Sequence, residues 1–433
     1  RDDVESRGLG DVYKRQVCNN LCISCGICKA VCPKDCIAFH KEKGMKLPAI
    51  DKNSCIECGK CYQVCPGKGF DYTRFVNDTE EASFWFGSYR NVYTAYSLDE
   101  KRRGNGVSGG VVTELVYRLL ENKEYESAFL IGTHRYLDDE AAVKRYTAGQ
   151  SLDDTQKSRY LPVSQEKAVS YILSHRREKI ILVGTGCFVQ GIMNVIDSYK
   201  LDRKQYFIIG LFCDKTMTGN VVDYFSRHSV LKGQRMDKFF FRTKEAGGWP
   251  GGVQIISDAG RVMNLPNTER MKVKDYFQPE RCLYCLDKLN MFADISVGDN
   301  YTGTNSDSKG SNSVIVRTQE GQRVWDAYAS AIYCESSSKE HVVASQHLKQ
   351  RALNSCYAEL KGRSVKEKIN VTGSLFTEPE LTLKVRMKYW FKRFKIRVGT
   401  NYGRASWMLS LCLVWKNIKL KVKNVMRRSS ICL

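Results

Sequence analysis

The chain has 433 residues, of which 42% are hydrophobic and 27% charged. That is enough for two or three cores and too apolar for a globally disordered chain. The formal net charge is +21, yet residues Leu381 to Leu433 hold fourteen Lys or Arg and no Asp or Glu, so the body is only mildly basic and the tail is a separate feature.

Residues 1–16, "RDDVESRGLGDVYKRQ", show no apolar periodicity. They are read as a non-native junction sequence and set apart from the fold.

Ten of the eighteen cysteines fall between Cys18 and Cys65. Eight of them form two copies of one phrase, "CISCGICKAVCP" from Cys22 and "CIECGKCYQVCP" from Cys55. A disulfide scaffold has no reason to repeat C-x2-C-x2-C-x3-C-P, whereas thiolate ligands to iron do, and the fourth cysteine of each copy ligates the other cluster. Cys22, Cys25, Cys28 and Cys65 are therefore expected to hold one [4Fe–4S] cluster, and Cys55, Cys58, Cys61 and Cys32 a second. Zinc knuckles usually pair C-x2-C units across a longer gap. Cys18 and Cys36 read as free thiols. The compartment implied is reducing and cytoplasmic, and the module runs from 17 to 75.

Beyond Trp85 the pattern turns α/β. Helical spacing over "GGVVTELVYRLLE" is followed by the strand "AFLIGT", the helix "EKAVSYILSHRR", the strand "KIILVGTG", the helix "FVQGIMNVIDSY" and the strand "YFIIGLFC". Strands apolar on both faces that alternate with helices predict a parallel sheet.

The stretch "GNGVSGG" matches G-x-G-x-x-G through Gly104, Gly106 and Gly109. The charged run "DEKRR" precedes it where an apolar strand should stand, so a dinucleotide fold is not inferred. Ser108, Gly109 and Gly110 lead into a helix. They could present amides to a phosphate, or Ser108 could simply cap the helix.

Cys187 follows one predicted strand and Cys213 ends the next. Successive parallel strands end on one sheet edge. "RCLYCLDK" adds Cys282 and Cys285, which makes four thiols, the number a third [4Fe–4S] cluster needs. Ordinary buried thiols at Cys187 and Cys213, with zinc or nothing at "CLYC", are the alternative.

"GNGVSGGVV", "GTGCFVQG", "IGLFCDKT", "CLYCLDKLNMFADISVGD" and "KGSNSVIVRTQEG" occur in this order. Together they resemble the beta-subunit family of coenzyme F-420 (8-hydroxy-5-deazaflavin) hydrogenases and dehydrogenases over roughly 17 to 340. The resemblance implies a bound flavin, usually FAD, and a further cluster on Cys187, Cys213, Cys282 and Cys285. It also implies a redox partner, such as ferredoxin or a dehydrogenase subunit, and a small-molecule substrate. It places flavin contacts at Ser108, Gly109, Gly110, Asp299, Ser311 and Ser313, with Asp299 alternatively a turn residue. Lys288 and Asn290 are weaker candidates for an anionic substrate. The family's Gly-Thr-Pro-Cys loop is here Gly184-Thr185-Gly186-Cys187. Members with a fused ferredoxin resemble proteins of surface-polysaccharide biosynthesis.

The expected fold class is α+β. A small bacterial-ferredoxin-like module precedes an α/β flavin-binding core with a largely parallel sheet, in halves 76–165 and 166–345. A helical linker, 346–380, leads to a basic amphipathic helical tail, 381–433. The tail alternates cations with Trp, Phe and Leu, and its longest apolar run is too short to span a bilayer. It suits peripheral contact with the cytoplasmic leaflet. A docking helix for a partner protein or a solvated helix are the rivals, and no nucleic-acid motif accompanies the charge. The function expected is an iron–sulfur flavoprotein oxidoreductase. The alternative is a non-catalytic electron relay within a larger redox complex.

Overall fold

The computed structural model describes residues 17, 20–68, 86–132, 143–228, 233–304, 307–351, 382–401 and 403–409. The junction sequence, Cys18, Cys356, Cys412 and Cys432 lie outside them.

In the cysteine-rich module, Gly26 (φ 74°) and Gly59 (φ 69°) take the left-handed conformation before the one-turn helices Ile27–Ala30 and Lys60–Gln63. Glycine adopts that conformation without a steric penalty. Strands β1 (Ile37–Glu42) and β2 (Met45–Ile50) pair antiparallel from Ile37↔Ile50 to Glu42↔Met45. Lys43 and Gly44 close the hairpin with positive φ at both positions, as a turn matched to strand twist requires.

The body is built on strands β3 (Asn91–Ser97), β4 (Ser127–Ile131), β5 (Val143–Tyr146), β6 (Ile180–Thr185) and β7 (Tyr206–Leu211). Strands β8 (Met236–Thr243), β9 (Gly252–Ser257) and β10 (Val262–Leu265) form a separate antiparallel sheet, which the sequence pattern did not anticipate. Strands β11 (Ile295–Asp299), β12 (Asn312–Val316) and β13 (Ile332–Ser336) rejoin the main sheet, in the order β13-β3-β12-β11-β7-β6-β4-β5.

The expectation of a largely parallel sheet is corrected. Only the central run β4, β6, β7, β11 is parallel, and the strands on both sides pair antiparallel. A parallel neighbour needs a crossover, usually helical. No helix separates β11 from β12 among the described residues, and β12 returns antiparallel.

Strands β6 and β7 bury both faces, and alternate residues feed two cores. Ile180, Leu182, Tyr206 and Ile208 point to one side. Ile181, Val183, Phe207 and Ile209 point to the other, against Leu115 and Leu119 of the Val111–Glu121 helix. The two-residue period of a strand produces this division.

The cysteine-rich module is packed into the first of these cores. Leu21, Ile27, Val31 and Val64 join Ile172 of the Glu166–Ser174 helix and Val189 and Ile192 of the Gly186–Tyr199 helix. The Gln165 amide donates to the Cys25 carbonyl at 2.7 Å. Tyr199 Oη donates to the Val31 carbonyl at 3.3 Å, and Lys29 pairs with Glu166 at 3.1 Å. Burying one such aliphatic side chain stabilises by about 1.5–3 kcal/mol, so module and body share one hydrophobic interior.

Of the expected 346–380 linker, Leu348–Arg351 is helical and 352–380 lies outside the described residues. The tail begins with the helix Leu383–Gly399, capped by the Thr382 hydroxyl. Its end is held by Asn220 Nδ2, which donates to the Gly399 carbonyl at 3.0 Å, and by the Arg393–Glu280 pair at 3.3 Å. A Cβ at Gly399 would overlap the Tyr276 carbonyl oxygen. Only glycine permits that approach. No helix among the described residues is long and apolar enough to cross a membrane.

Candidate electron-transfer centre

Three groups of four cysteines emerge, each assembled from separated segments. Cys22 and Cys25 lie on the loop entering the first short helix, and Cys28 lies within that helix. Cys65 follows the second short helix and acts electrostatically on all three. Cys61 in turn faces Cys58, Cys32 and Cys55. Cys32 of the first phrase lines one cavity with Cys55, Cys58 and Cys61 of the second.

The third group forms at the carboxyl edge of the parallel strands. Cys187 occupies the first turn after β6, and Cys213 lies just past β7, whose Leu211 is in register with Thr185. The Cys213 amide donates to the Lys288 carbonyl at 2.9 Å, which draws in the loop bearing Cys282 and Cys285. Cys213 faces Cys187, Cys282 and Cys285.

The groups are also neighbours of one another. Cys28 packs in one cluster with Cys32, Cys55 and Cys61 of the second group, and Ile27 beside it meets Gly191 of the helix that carries Cys187 of the third. The spatial order is second, first, third.

A single zinc ion bonds sulfur at about 2.3 Å, which puts tetrahedral ligands about 3.8 Å apart. Among the described residues, no three His, Cys, Asp or Glu side chains converge on one ion position. Four thiols are the number that a [4Fe–4S] cluster takes.

Burial pushes these thiols up: Cys22 and Cys187 to about 12, Cys61 to about 11, with neighbouring cysteines adding to the effect. Such groups carry a thiolate charge only beside a cation, and a bound metal supplies one. Of the described cysteines only Cys58 is exposed. It lines a surface cavity with Cys32, Cys36, Cys55, Cys61, Ile37 and Ile50. Cys36, expected to be a bystander, is buried there, with its sulfur 3.4 Å from that of Cys32.

The departure at Gly186 has a physical cause. A Cβ on residue 186 would stand 2.5 Å from Asp287 Oδ2 and 2.9 Å from the Asp287 carbonyl oxygen. Proline would collide with both. The buried Asp287 accepts from the Met291 amide at 2.8 Å and from Gln190 Nε2 at 3.3 Å.

The expected flavin residues are partly gathered. Ser108 Oγ donates to the Ser311 carbonyl at 2.5 Å and lies against Asp299. The alternative role of Ser108 as helix cap is corrected. Gly110 occupies the cap position, and Asn312 Oδ1 accepts from the Val111 amide at 3.4 Å. Gly109 faces Asn312 and Ala95, and Gly110 faces Arg102, so neither opens onto free space. Ser313 is buried, and its hydroxyl has no hydrogen-bond partner.

Asp299 accepts two bonds from Arg242, at 2.6 and 3.0 Å, and one from Trp249 Nε1 at 2.9 Å. Burial pushes its carboxyl up, but the Arg242 charge and these bonds outweigh burial and hold it below its ordinary value. Lys244 Nζ donates to the Ser108 carbonyl at 2.8 Å, and burial together with Arg103 lowers Lys244 to about 8. Lys157 and Arg159 lie over the Phe240 ring and Arg270 over Tyr160. Arg159 Nη2 and Thr243 Oγ1 are buried without hydrogen-bond partners. This cation-rich, aromatic face belongs to β8 and its surroundings, which sequence reasoning did not see.

The weaker candidates separate. Asn290 is fully buried, in the left-handed conformation, with Nδ2 donating to the Gly184 carbonyl at 2.8 Å. Its role is structural. Lys288 donates to the Gln346 carbonyl at 2.7 Å, and burial lowers it to about 8.

Comparison with known families finds three matches. Residues 21–68 match the 4Fe-4S dicluster domain. Residues 92–170 and 177–341 match the N-terminal and C-terminal models of the coenzyme F420 hydrogenase/dehydrogenase beta subunit. The chain is 24% identical over 329 residues to a coenzyme F420-dependent sulfite reductase of Methanocaldococcus jannaschii, covering 71% of this chain and 46% of that protein. It is 24% identical over 315 residues to one of the subunits of the F(420)H(2) dehydrogenase of Methanosarcina mazei, covering 71% of this chain and 82% of that protein. The chain thus spans about half of the first relative. Among solved structures, a chain of the F420-reducing [NiFe] hydrogenase complex from Methanosarcina barkeri aligns with a TM-score of 0.47 at 17% identity. The alignment covers 66% of this chain and 97% of that one. Together the two beta-subunit models span more than half of the sequence. The chain belongs to the coenzyme F420 hydrogenase/dehydrogenase beta-subunit family, with a 4Fe-4S dicluster domain at its amino-terminal side.

Proposed function

We propose that the protein is an iron–sulfur oxidoreductase in which three [4Fe–4S] clusters carry electrons in the order second, first, third, to or from a flavin-type cofactor. The observation that carries this is the contiguity of the thiol sets: Cys28 packs in one cluster with Cys32, Cys55 and Cys61, and Ile27 beside it meets Gly191 of the helix that carries Cys187. Ligands are the twelve cysteines named above.

A flavin exchanges single electrons with clusters and a hydride with a two-electron substrate. The residues suited to hold it are Ser108, Ser311, Ser313 and the Asp299–Arg242–Trp249 triad. Lys157, Arg159 and Lys244 offer cations to its phosphates in place of the Val111 helix terminus. Arg242 is fixed by Asp299, so its charge is positioned before any ligand arrives. The similar proteins are named for coenzyme F420. This favours a deazaflavin-class carrier over a polysaccharide precursor as the two-electron partner. A dehydrogenase or reductase subunit is the partner protein proposed at the exposed Cys58 side.

The Leu383–Gly399 helix supports a further element of the reading. Leu383, Met387, Trp390 and Phe391 are each more than half exposed and recur at i, i+4, i+7 and i+8. The run from Lys384 to Arg397 contains no acid. We assign this face to an anionic lipid surface.

Iron, acid-labile sulfide and flavin per chain, measured on anaerobically purified protein, test the proposal. About twelve irons and one flavin are expected, falling to about eight irons in Cys282→Ser/Cys285→Ser. About eight irons in both would remove the third cluster.

A further inference from the structure

Arg281 stands immediately before Cys282, in the short turn Glu280–Tyr284, and is 3% exposed. Its Nη2 donates to the Pro66 carbonyl at 3.4 Å. Pro66 follows Cys65 directly. One guanidinium is thereby fixed between a ligand of the first cysteine set and a ligand of the third. Arg281 adjoins Cys282 in sequence, and its bond to Pro66 holds it one residue from Cys65.

Burying a guanidinium is costly unless negative charge lies close by. Surface charge would be screened within about 10 Å, but a buried one is not. Each cluster gains one negative charge when it takes up an electron. A fixed cation between two clusters therefore favours the reduced form of both and offsets their mutual repulsion. Polar contacts around cluster sulfurs are among the protein's means of setting potential.

We propose that Arg281 is a positioning residue shared by the first and third clusters, which raises both reduction potentials together and keeps them matched for transfer between Cys65 and Cys282. This rests on the cluster reading above. It concerns only the first and third sets. The second set lies on the far side of the first, with Cys61 facing Cys28.

The test is an EPR-monitored redox titration of the full chain, reconstituted anaerobically, as wild type, Arg281→Gln and Arg281→Lys, with iron counted in each. Signals are assigned by comparison with Cys282→Ser/Cys285→Ser. In Arg281→Gln the reduction equilibria of the first and third clusters are expected to fall by about tenfold or more, or about 59 mV per tenfold for a one-electron couple. The second cluster should not move, and Arg281→Lys should stay near wild type.

Twelve irons with unmoved potentials, or a shift in one cluster alone, overturns the role of Arg281 and leaves the clusters standing. A shift in Arg281→Lys equal to that in Arg281→Gln also overturns it, since charge is then not the cause. If Arg281→Gln loses iron while Arg281→Lys keeps about twelve with both potentials near wild type, the requirement for a charge is upheld. Iron lost from Arg281→Lys as well overturns it in favour of shape. Fewer than about twelve irons in wild type overturns the cluster reading, and the inference with it.

Discussion

Ile27 of the cysteine-rich module fills the space that a side chain on Gly191 would need: a Cβ built there would overlap Ile27 Cδ1. Gly191 is on the Gly186–Tyr199 helix, which also carries Cys187. The contact therefore sets the separation between the first and third cysteine groups. Gly191→Val should overpack this seam, lower stability by about 1–3 kcal/mol and slow electron transfer between those clusters. Thermal melting and stopped-flow reduction by dithionite would check both. A faster or unchanged transfer rate in a variant with full iron would count against the seam's role.

Glu114 is fully buried. It accepts from Ser97 Oγ at 2.8 Å, Arg102 Nη1 at 3.0 Å and Arg118 Nε at 2.9 Å. Arg102 also stacks on Tyr117, 3.7 Å from the ring centre, and its carbonyl meets Gly110. Glu114→Ala leaves Arg102 with Asp99 as its remaining carboxylate, at 2.8 Å, and should cost about 1–3 kcal/mol for the buried groups left without Glu114. The expected result is a melting temperature several degrees lower with iron content unchanged.

Lys244 carries a folded-state value near 8, below the roughly 10.4 of a free lysine. The unfolded chain thus binds more protons between about pH 8 and 10, so this group makes stability rise with pH across that window. Ligand binding runs the other way: a phosphate facing Lys244 loses its cation as the pH passes about 8. Flavin affinity, followed by fluorescence titration, should weaken from about pH 7 to 9 in wild type. It should weaken less in Lys244→Arg, whose charge persists.

The tail helix should carry the protein to membranes. Cosedimentation with phosphatidylglycerol vesicles is expected at low salt, with loss at high salt and little binding to phosphatidylcholine. Trp390→Glu/Phe391→Glu should abolish it without changing iron content. Equal binding to both lipids would point to a protein partner for this face.

The eight amino-terminal cysteines and the Cys282/Cys285 pair are readable because thiolate ligation is written as fixed spacings. Strands β6 and β7 were readable because burial on both faces makes them continuous apolar runs. Strand direction is not written that way, so the antiparallel pairing of β12 with β3 needed the fold. Strand β8 reads "MDKFFFRT", and its charges disguise a buried strand. Arg242 and Arg281 were invisible for another reason. Their partners, Asp299 and Pro66, lie 57 and 215 residues away in sequence, and a lone arginine carries no local signature. The glycine at 186 showed only as a departure, and its cause, Asp287, needed the fold.

Cys58 alone of the described cysteines is exposed, at the end of the row farthest from Cys213. In the first and third sets Cys28 is buried and the other cysteines are partly buried. In the proposed order the second set is the terminal that a redox protein can reach. Two different redox proteins would have to take turns at it. Supplying one should inhibit use of the other competitively, and raising the concentration of both should never give a summed rate.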